Sequence, residues 1–131
     1  MPSTKLSALI ASLLTATTLA NAAKQCVGDD YSVHACADVT WSTPQQAQLK
    51  LSLADTDGDS HGVYMKYRVY YDGDGGDEEK LENNEGHDKK VTLTVPLDGD
   101  GKDVSGVRFW ACVSDWGRDT CTGGKFIKYV K

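Results

Sequence analysis

The segment Asp55-Thr56-Asp57-Gly58-Asp59-Ser60-His61-Gly62 sets carboxylate oxygens at every second residue, the spacing with which a loop can wrap a hard cation. Asp55, Asp57 and Asp59 are therefore the candidate calcium ligands, and calcium is the one cofactor the sequence raises. The spacing of a helix-loop-helix calcium loop is not met. With Asp55 as position one, Ser60 stands where the sharp-turn glycine belongs and Lys66 where the bidentate acid belongs. A tight turn explains the same residues, because Asp and Gly tolerate the positive φ that such turns require. The same two readings apply to Asp98-Gly99-Asp100-Gly101-Lys102-Asp103. A shared calcium site would need both loops and Asp72–Asp77 to meet at one end of the fold.

Catalytic chemistry has little to stand on. His34, His61 and His87 lie in none of the sequence contexts that mark a nucleophile, a general base or a zinc ligand, and polar-loop or strand-face histidines are normally solvated. Nineteen acidic residues offer many carboxylate pairs of the kind glycoside hydrolysis uses, so their abundance singles out no pair. The expectation is a protein that is not an enzyme. The aromatic residues say more. Tyr64, Tyr70 and Trp110 fall on the polar face of their strands, and Trp116 lies between two cysteines in Ser114-Asp115-Trp116-Gly117-Arg118-Asp119. A set of exposed rings there would contact a sugar or a protein. The competing reading is structural: Trp110 packs over a disulfide or against Tyr64, and Trp116 pins its own loop.

The elements that would position these residues follow a leader-like segment. Residues 1–23 carry Lys5, a short apolar run from Leu6 to Leu14, and Ala20 and Ala22 before a cleavage point, which is the pattern of a secretory signal peptide with a mature start near Ala23 or Lys24. The run is too short to span a bilayer, so no membrane insertion is expected. About 108 residues remain, enough for one domain, 24–131. All four cysteines lie in it, an even count that in a small exported chain implies disulfides. Removing Lys5 leaves 13 basic against 19 acidic side chains, a net charge of −6 that opposes nucleic acid and anionic membranes as partners. An extracellular, monomeric protein is expected.

Period-two alternation dominates after residue 30, and no stretch holds a capped helical stripe. Strands are read over Val33–Trp41, Ala47–Leu53 and Val63–Tyr71, the second and third joined as a hairpin. Val91–Val95 follows, closed by Pro96, then Val107–Val113, and a last strand near Phe126–Val130. The stretch 72–88 is Gly-rich and acidic, with Leu81 its single large apolar residue, and is read as a flexible surface loop. Six to seven short strands, each with one apolar face, need two sheets to cover one another, so the expected fold is an all-β antiparallel sandwich, with a small β-barrel as the alternative. If Ala35, Ala37, Phe109 and Ala111 face the core, Cys36 and Cys112 face outward. This favours the local pairs Cys26–Cys36 and Cys112–Cys121 over a bridge through the core.

The early cysteine pair, Leu53-Ala54-Asp55-Thr56 before a short Asp/Gly/His turn, the Val-Tyr strand, and Val107-Arg108-Phe109-Trp110-Ala111-Cys112 followed nine residues later by Cys121 together resemble small secreted two-disulfide β-proteins of soil microbes. More loosely, they are similar to exported, cysteine-stapled toxins and effectors. The resemblance implies an extracellular β-fold and no particular activity. The expected function is a secreted non-enzymatic binding protein directed at an extracellular protein or glycan. A calcium-assisted carbohydrate-binding module is the first alternative and a small secreted hydrolase the second.

Overall fold

Side chains that alternate between apolar and polar give each strand one face to hide, and strands of that kind are stable only when two such faces meet. In the computed structural model, which describes residues 21–28, 33–56, 62–83, 89–115 and 118–130, eight strands do this. They are β1 (Asn21–Gly28), β2 (Val33–Thr43), β3 (Gln46–Asp55), β4 (Val63–Tyr71), β5 (Asp74–Asn83), β6 (Lys90–Asp98), β7 (Val104–Asp115) and β8 (Arg118–Lys128). No helix occurs among the described residues, and so none long and apolar enough to cross a membrane. Sheet A has the order β1-β2-β3-β6 and sheet B the order β5-β4-β7-β8, with every neighbouring pair antiparallel. The fold is thus the expected all-β sandwich, with two open sheets instead of the closed barrel.

The core lies between the sheets. Val33, Ala35, Ala37, Val39 and Trp41 of β2 and Leu49, Leu51 and Leu53 of β3 meet Val63 and Met65 of β4 and Val107, Phe109 and Ala111 of β7, all of them buried. Trp41 links the layers as well as filling space: its indole Nε1 donates to the carbonyl of Val104 at 2.8 Å, and its ring centroid lies 5.1 Å from that of Tyr129. Cys26 pairs directly opposite Cys36 in the β1–β2 ladder, and Cys112 opposite Cys121 in the β7–β8 ladder. Both expected disulfides are formed, each across one pair of neighbouring strands on an outer face, with Cα atoms 4.0 Å apart in each.

Three expectations are corrected. The strands read at Ala47–Leu53 and Val63–Tyr71 do not form a hairpin. β3, ending at Asp55, pairs with β2 and β6 in sheet A, and β4, starting at Val63, pairs with β5 and β7 in sheet B. Two long apolar-faced strands in succession can cover each other across the core as readily as they can pair edge to edge, and here they do the former.

Second, the acidic stretch 72–88, expected as a loop, contains β5. Asp72 and Gly73 form a two-residue reversal with φ of 50° and 88°, the positive pair that a type I′ hairpin demands. This turn launches β5 against β4, where Leu81 faces Met65 and packs on the core and Asn83 is buried. Residues 84–88 lie outside the described residues.

Third, the last strand starts at Arg118, well before Phe126. Gly123 and Gly124, with φ of 109° and 82°, sit at a register shift where Trp110 pairs with Gly123 and Phe109 with Lys125. This bulge interrupts the alternation by which strands are recognised. Likewise β6 runs through Pro96 to Asp98, which an edge strand tolerates. β1 begins at Asn21, so Ala23, at the expected cleavage point, pairs with Val39 and packs on the core.

Asn83 holds the β5 edge to the other layer. Its amide nitrogen donates to the carbonyls of Leu53, at 3.1 Å, and Lys89, at 2.8 Å. Asn83→Leu removes this donor and is expected to cost about 1–3 kcal/mol, read as a lower urea midpoint with an unchanged slope.

Candidate functional site

The two outer faces differ in kind. On sheet A, His34, Thr40, Gln48, Lys50, Thr92 and Thr94 point to solvent, a polar and charged surface without a Tyr, Trp or Phe among them. On sheet B the outward positions carry Tyr64, Tyr70, Trp110 and Phe126, interleaved with Lys66, Arg68, Lys80 and Arg108. The registers bring them together, since Lys66 stands opposite Trp110, Arg68 opposite Arg108, and Arg108 opposite Phe126.

Three of these four rings have a cation beside them. Lys66 Nζ lies 5.3 Å from the Trp110 ring centroid, Lys80 Nζ 4.5 Å from that of Tyr64, and the Arg108 guanidinium carbon 5.0 Å from that of Phe126. Contacts of this type are worth roughly 0.5–1 kcal/mol at exposed sites. Glycines make the seats. A Cβ at Gly106 would stand 2.4 Å from the Phe126 ring, and one at Gly124 would stand 3.0 Å from Trp110 Nε1. With no side chain at Gly106, Phe126 can reach across to Tyr70, which it meets edge-on at a centroid distance of 5.3 Å. Arg108 Nη1 donates to the carbonyl of Gly124 at 2.7 Å, fixing the guanidinium over the Phe126 ring.

Tyr70 and Trp110 are therefore half-buried members of one surface with Phe126, which begins the expected last strand but is not among the aromatic candidates of the sequence. Tyr64 is placed differently. It is 8% exposed and its hydroxyl donates to Asp119, so it anchors β8 to β4 and offers a partner little. Trp110 has Lys66 and Gly124 among its neighbours. Trp116 lies outside the described residues.

Burial, together with the bond to Asp119 and the charges of Asp119, Glu78 and Glu82, pushes the Tyr64 hydroxyl up to about 12. Below the ordinary tyrosine value of about 10 the group is neutral in folded and unfolded chains alike, and its stabilising contribution is fully present. Above that value the unfolded chain loses the proton first, so stability falls as pH climbs from about 10 through about 12. Tyr64→Phe is expected to flatten the alkaline decline of the melting temperature over this window; a variant as steep as the parent would refute the assignment.

A second feature lies where the sheets part. β5 and β6 are the edge strands on one side of the sandwich, and between them runs a groove of about 450 Å³. Tyr67 and Tyr71 line it from β4, Asp77 and Glu79 from β5, and Val95 and Leu97 from β6. Burial first, and then Glu79 beside Tyr67 and Asp98 beside Tyr71, raise both tyrosines above their ordinary value, so both keep their protons near neutral pH.

Of the three calcium candidates, one lies among the described residues. Asp55 is 3% exposed at the end of β3, and Asp57 and Asp59 lie outside the described residues. Asp55 itself is at the opposite end of the strands from Asp72 and Asp98–Asp103, so it shares no site with them. At that far end the acids serve as turn caps. Asp72 Oδ1 accepts from the Asp103 amide and Asp98 Oδ1 from the Asp100 amide, each at 2.9 Å. Among the described residues, Cys26, His34 and Cys36 lie close enough together for a metal, but both sulfurs are spent in a disulfide and offer no thiolate. A scan against protein-family models finds no family that matches, and a search of curated proteins finds no relative.

Proposed function

We propose that this chain is a secreted, non-enzymatic binding protein that meets an extracellular protein or glycan through the outer face of sheet B. One observation carries the reading: of the two sheets, only sheet B places Tyr70, Trp110 and Phe126, interleaved with cations, on the solvent side. The core does not need these rings. Export is supported by the leader-like residues 1–23 and by two disulfides of the kind that persist in oxidising compartments. The toxin or effector role of the proteins it resembles fits a compact, stapled surface of this kind.

A carbohydrate-binding module is the second reading, because half-exposed tryptophan and tyrosine rings on a sheet face suit the apolar faces of sugars. The two separate on a glycan array. Binding by the purified protein that falls about tenfold or more in Trp110→Ala, with the melting temperature little changed, identifies a glycan. An array without signal, combined with Trp110-dependent binding to an extracellular protein, identifies a protein target. Turnover of a glycoside, ester or peptide substrate by the pure protein would overturn both.

A further inference from the structure

The two sides of the sandwich are closed unequally. At the β1 and β8 edges the layers touch: Gln25 Nε2 donates to the carbonyl of Phe126 at 3.4 Å, and the Val27 side chain fills the space a Cβ at Gly123 would take. At the β5 and β6 edges, Asn83 pins one end only. Farther along β5, acidic residues come where an apolar strand would cover its opposite number. Glu79 pairs with Tyr67, and Asp77 lines the gap.

β6 shows the consequence. Its core-facing positions are Val91, Leu93, Val95 and Leu97, set opposite Leu53, Leu51, Leu49 and Ala47, yet Leu93 is 37% exposed and Val95 only half-buried. The groove thus has an apolar wall on β6, an acidic wall on β5, and two protonated tyrosines on its floor. Both walls are sheet edges, since among the described residues β5 pairs only with β4 and β6 only with β3. The nearby lysines do not neutralise it: Lys80 turns to the outer face over Tyr64, and Lys90 sits at the pinned end, opposite Ala54.

We infer that the groove between β5 and β6 docks an extended, basic segment of a partner protein, laid along the free edge of β6 with alternate Lys or Arg side chains directed at Asp77 and Glu79. Charge selects the occupant. The stem of a Lys or Arg is apolar and can lie on Val95 and Leu97 while its head reaches the carboxylates. A second copy of this acidic chain would set like charges against each other. An added strand receives main-chain hydrogen bonds from an exposed edge, and its alternate side chains enter the groove. This surface is separate from the aromatic face, so either reading can fail without the other.

The test titrates isotope-labelled protein with the capped peptide (Lys-Val)₃, with its (Glu-Val)₃ counterpart and with a neutral hexasaccharide, followed by amide chemical shifts. The basic peptide is expected to bind about tenfold or more tightly than the other two, with shifts confined to β5, β6, Tyr67 and Tyr71. The affinity should fall about tenfold in the double variant Asp77→Asn, Glu79→Gln, and fall again when salt rises from about 50 to about 300 mM. Both variant positions are exposed, so the fold should survive, which an unchanged circular-dichroism melt verifies. Equal binding of the two peptides, tighter binding of the saccharide, shifts centred on the outer face of sheet B, undiminished affinity in the double variant, or no binding at millimolar peptide would each overturn the inference.

Discussion

Trp41→Ala is expected to destabilise the protein by about 3–5 kcal/mol, the largest effect of any single substitution considered for this chain. Two losses add. The indole is 1% exposed and is the bulkiest of the fully buried side chains among the described residues, so its removal leaves a cavity between the layers. Its Nε1 also supplies a hydrogen bond to the Val104 carbonyl, a tie from β2 in sheet A to β7 in sheet B. Trp41→Phe separates the two, because phenylalanine keeps most of the volume but donates nothing. It should cost about 1–3 kcal/mol. Denaturant midpoints of the three proteins give both numbers, and an alanine variant within about 1 kcal/mol of the parent would show that the layers are held elsewhere.

Reduction of both disulfides is the second large effect. They close segments with sequence separations of 10 and 9 residues, and on the chain-entropy account each restrains the unfolded chain by about 2 to 3 kcal/mol, about 5 kcal/mol together. A domain of this size has a total stability of about 5–15 kcal/mol. The fully reduced protein should therefore melt at least about 20 °C lower or fail to fold at 37 °C. Both bridges join residues already opposite each other in a ladder, so the native sheets need not move when the bonds are cut. A reduced protein with four titratable thiols and an unshifted melt would show that the staples contribute nothing to the unfolded-state balance.

Much of the fold is legible in the chain. Alternation over Val33–Trp41, Ala47–Leu53, Val63–Tyr71 and Val107–Val113 assigns the buried face of four strands, and the structure buries that face in each. The disulfide pairing follows from the same parity. Neighbours of Cys36 and Cys112 face inward, so the cysteines face outward and must find partners on the same outer surface.

What the pattern misses has local causes. β5 carries acids and glycines over most of its length, and only Leu81 and Asn83 turn to the interior, so it lacks a period-two signature. Its one local signal is Tyr71-Asp72-Gly73-Asp74, the strongest kind of hairpin signal, placed after a strand of five alternating apolar residues. The first half of β8 is hidden by the bulge at Gly123 and Gly124. Of the aromatic candidates, the strand parity of Tyr64, Tyr70 and Trp110 was readable. That Tyr64 is buried against Asp119, and Trp110 set beside Lys66, was not.

Parity along a strand depends only on the pleat, so the chain alone settles which face of a strand turns inward and which cysteines can meet. Membership of a sheet depends on which apolar faces cover each other across the core, a comparison between segments far apart in sequence. Folding therefore had to decide that β3 and β4 part company, that Asp55 and Asp98 lie at opposite ends, and that the acidic β5 is set beside the apolar wall of β6. The aromatic face and the acidic groove are both products of that second level, because each is assembled from neighbouring strands whose order no local pattern encodes.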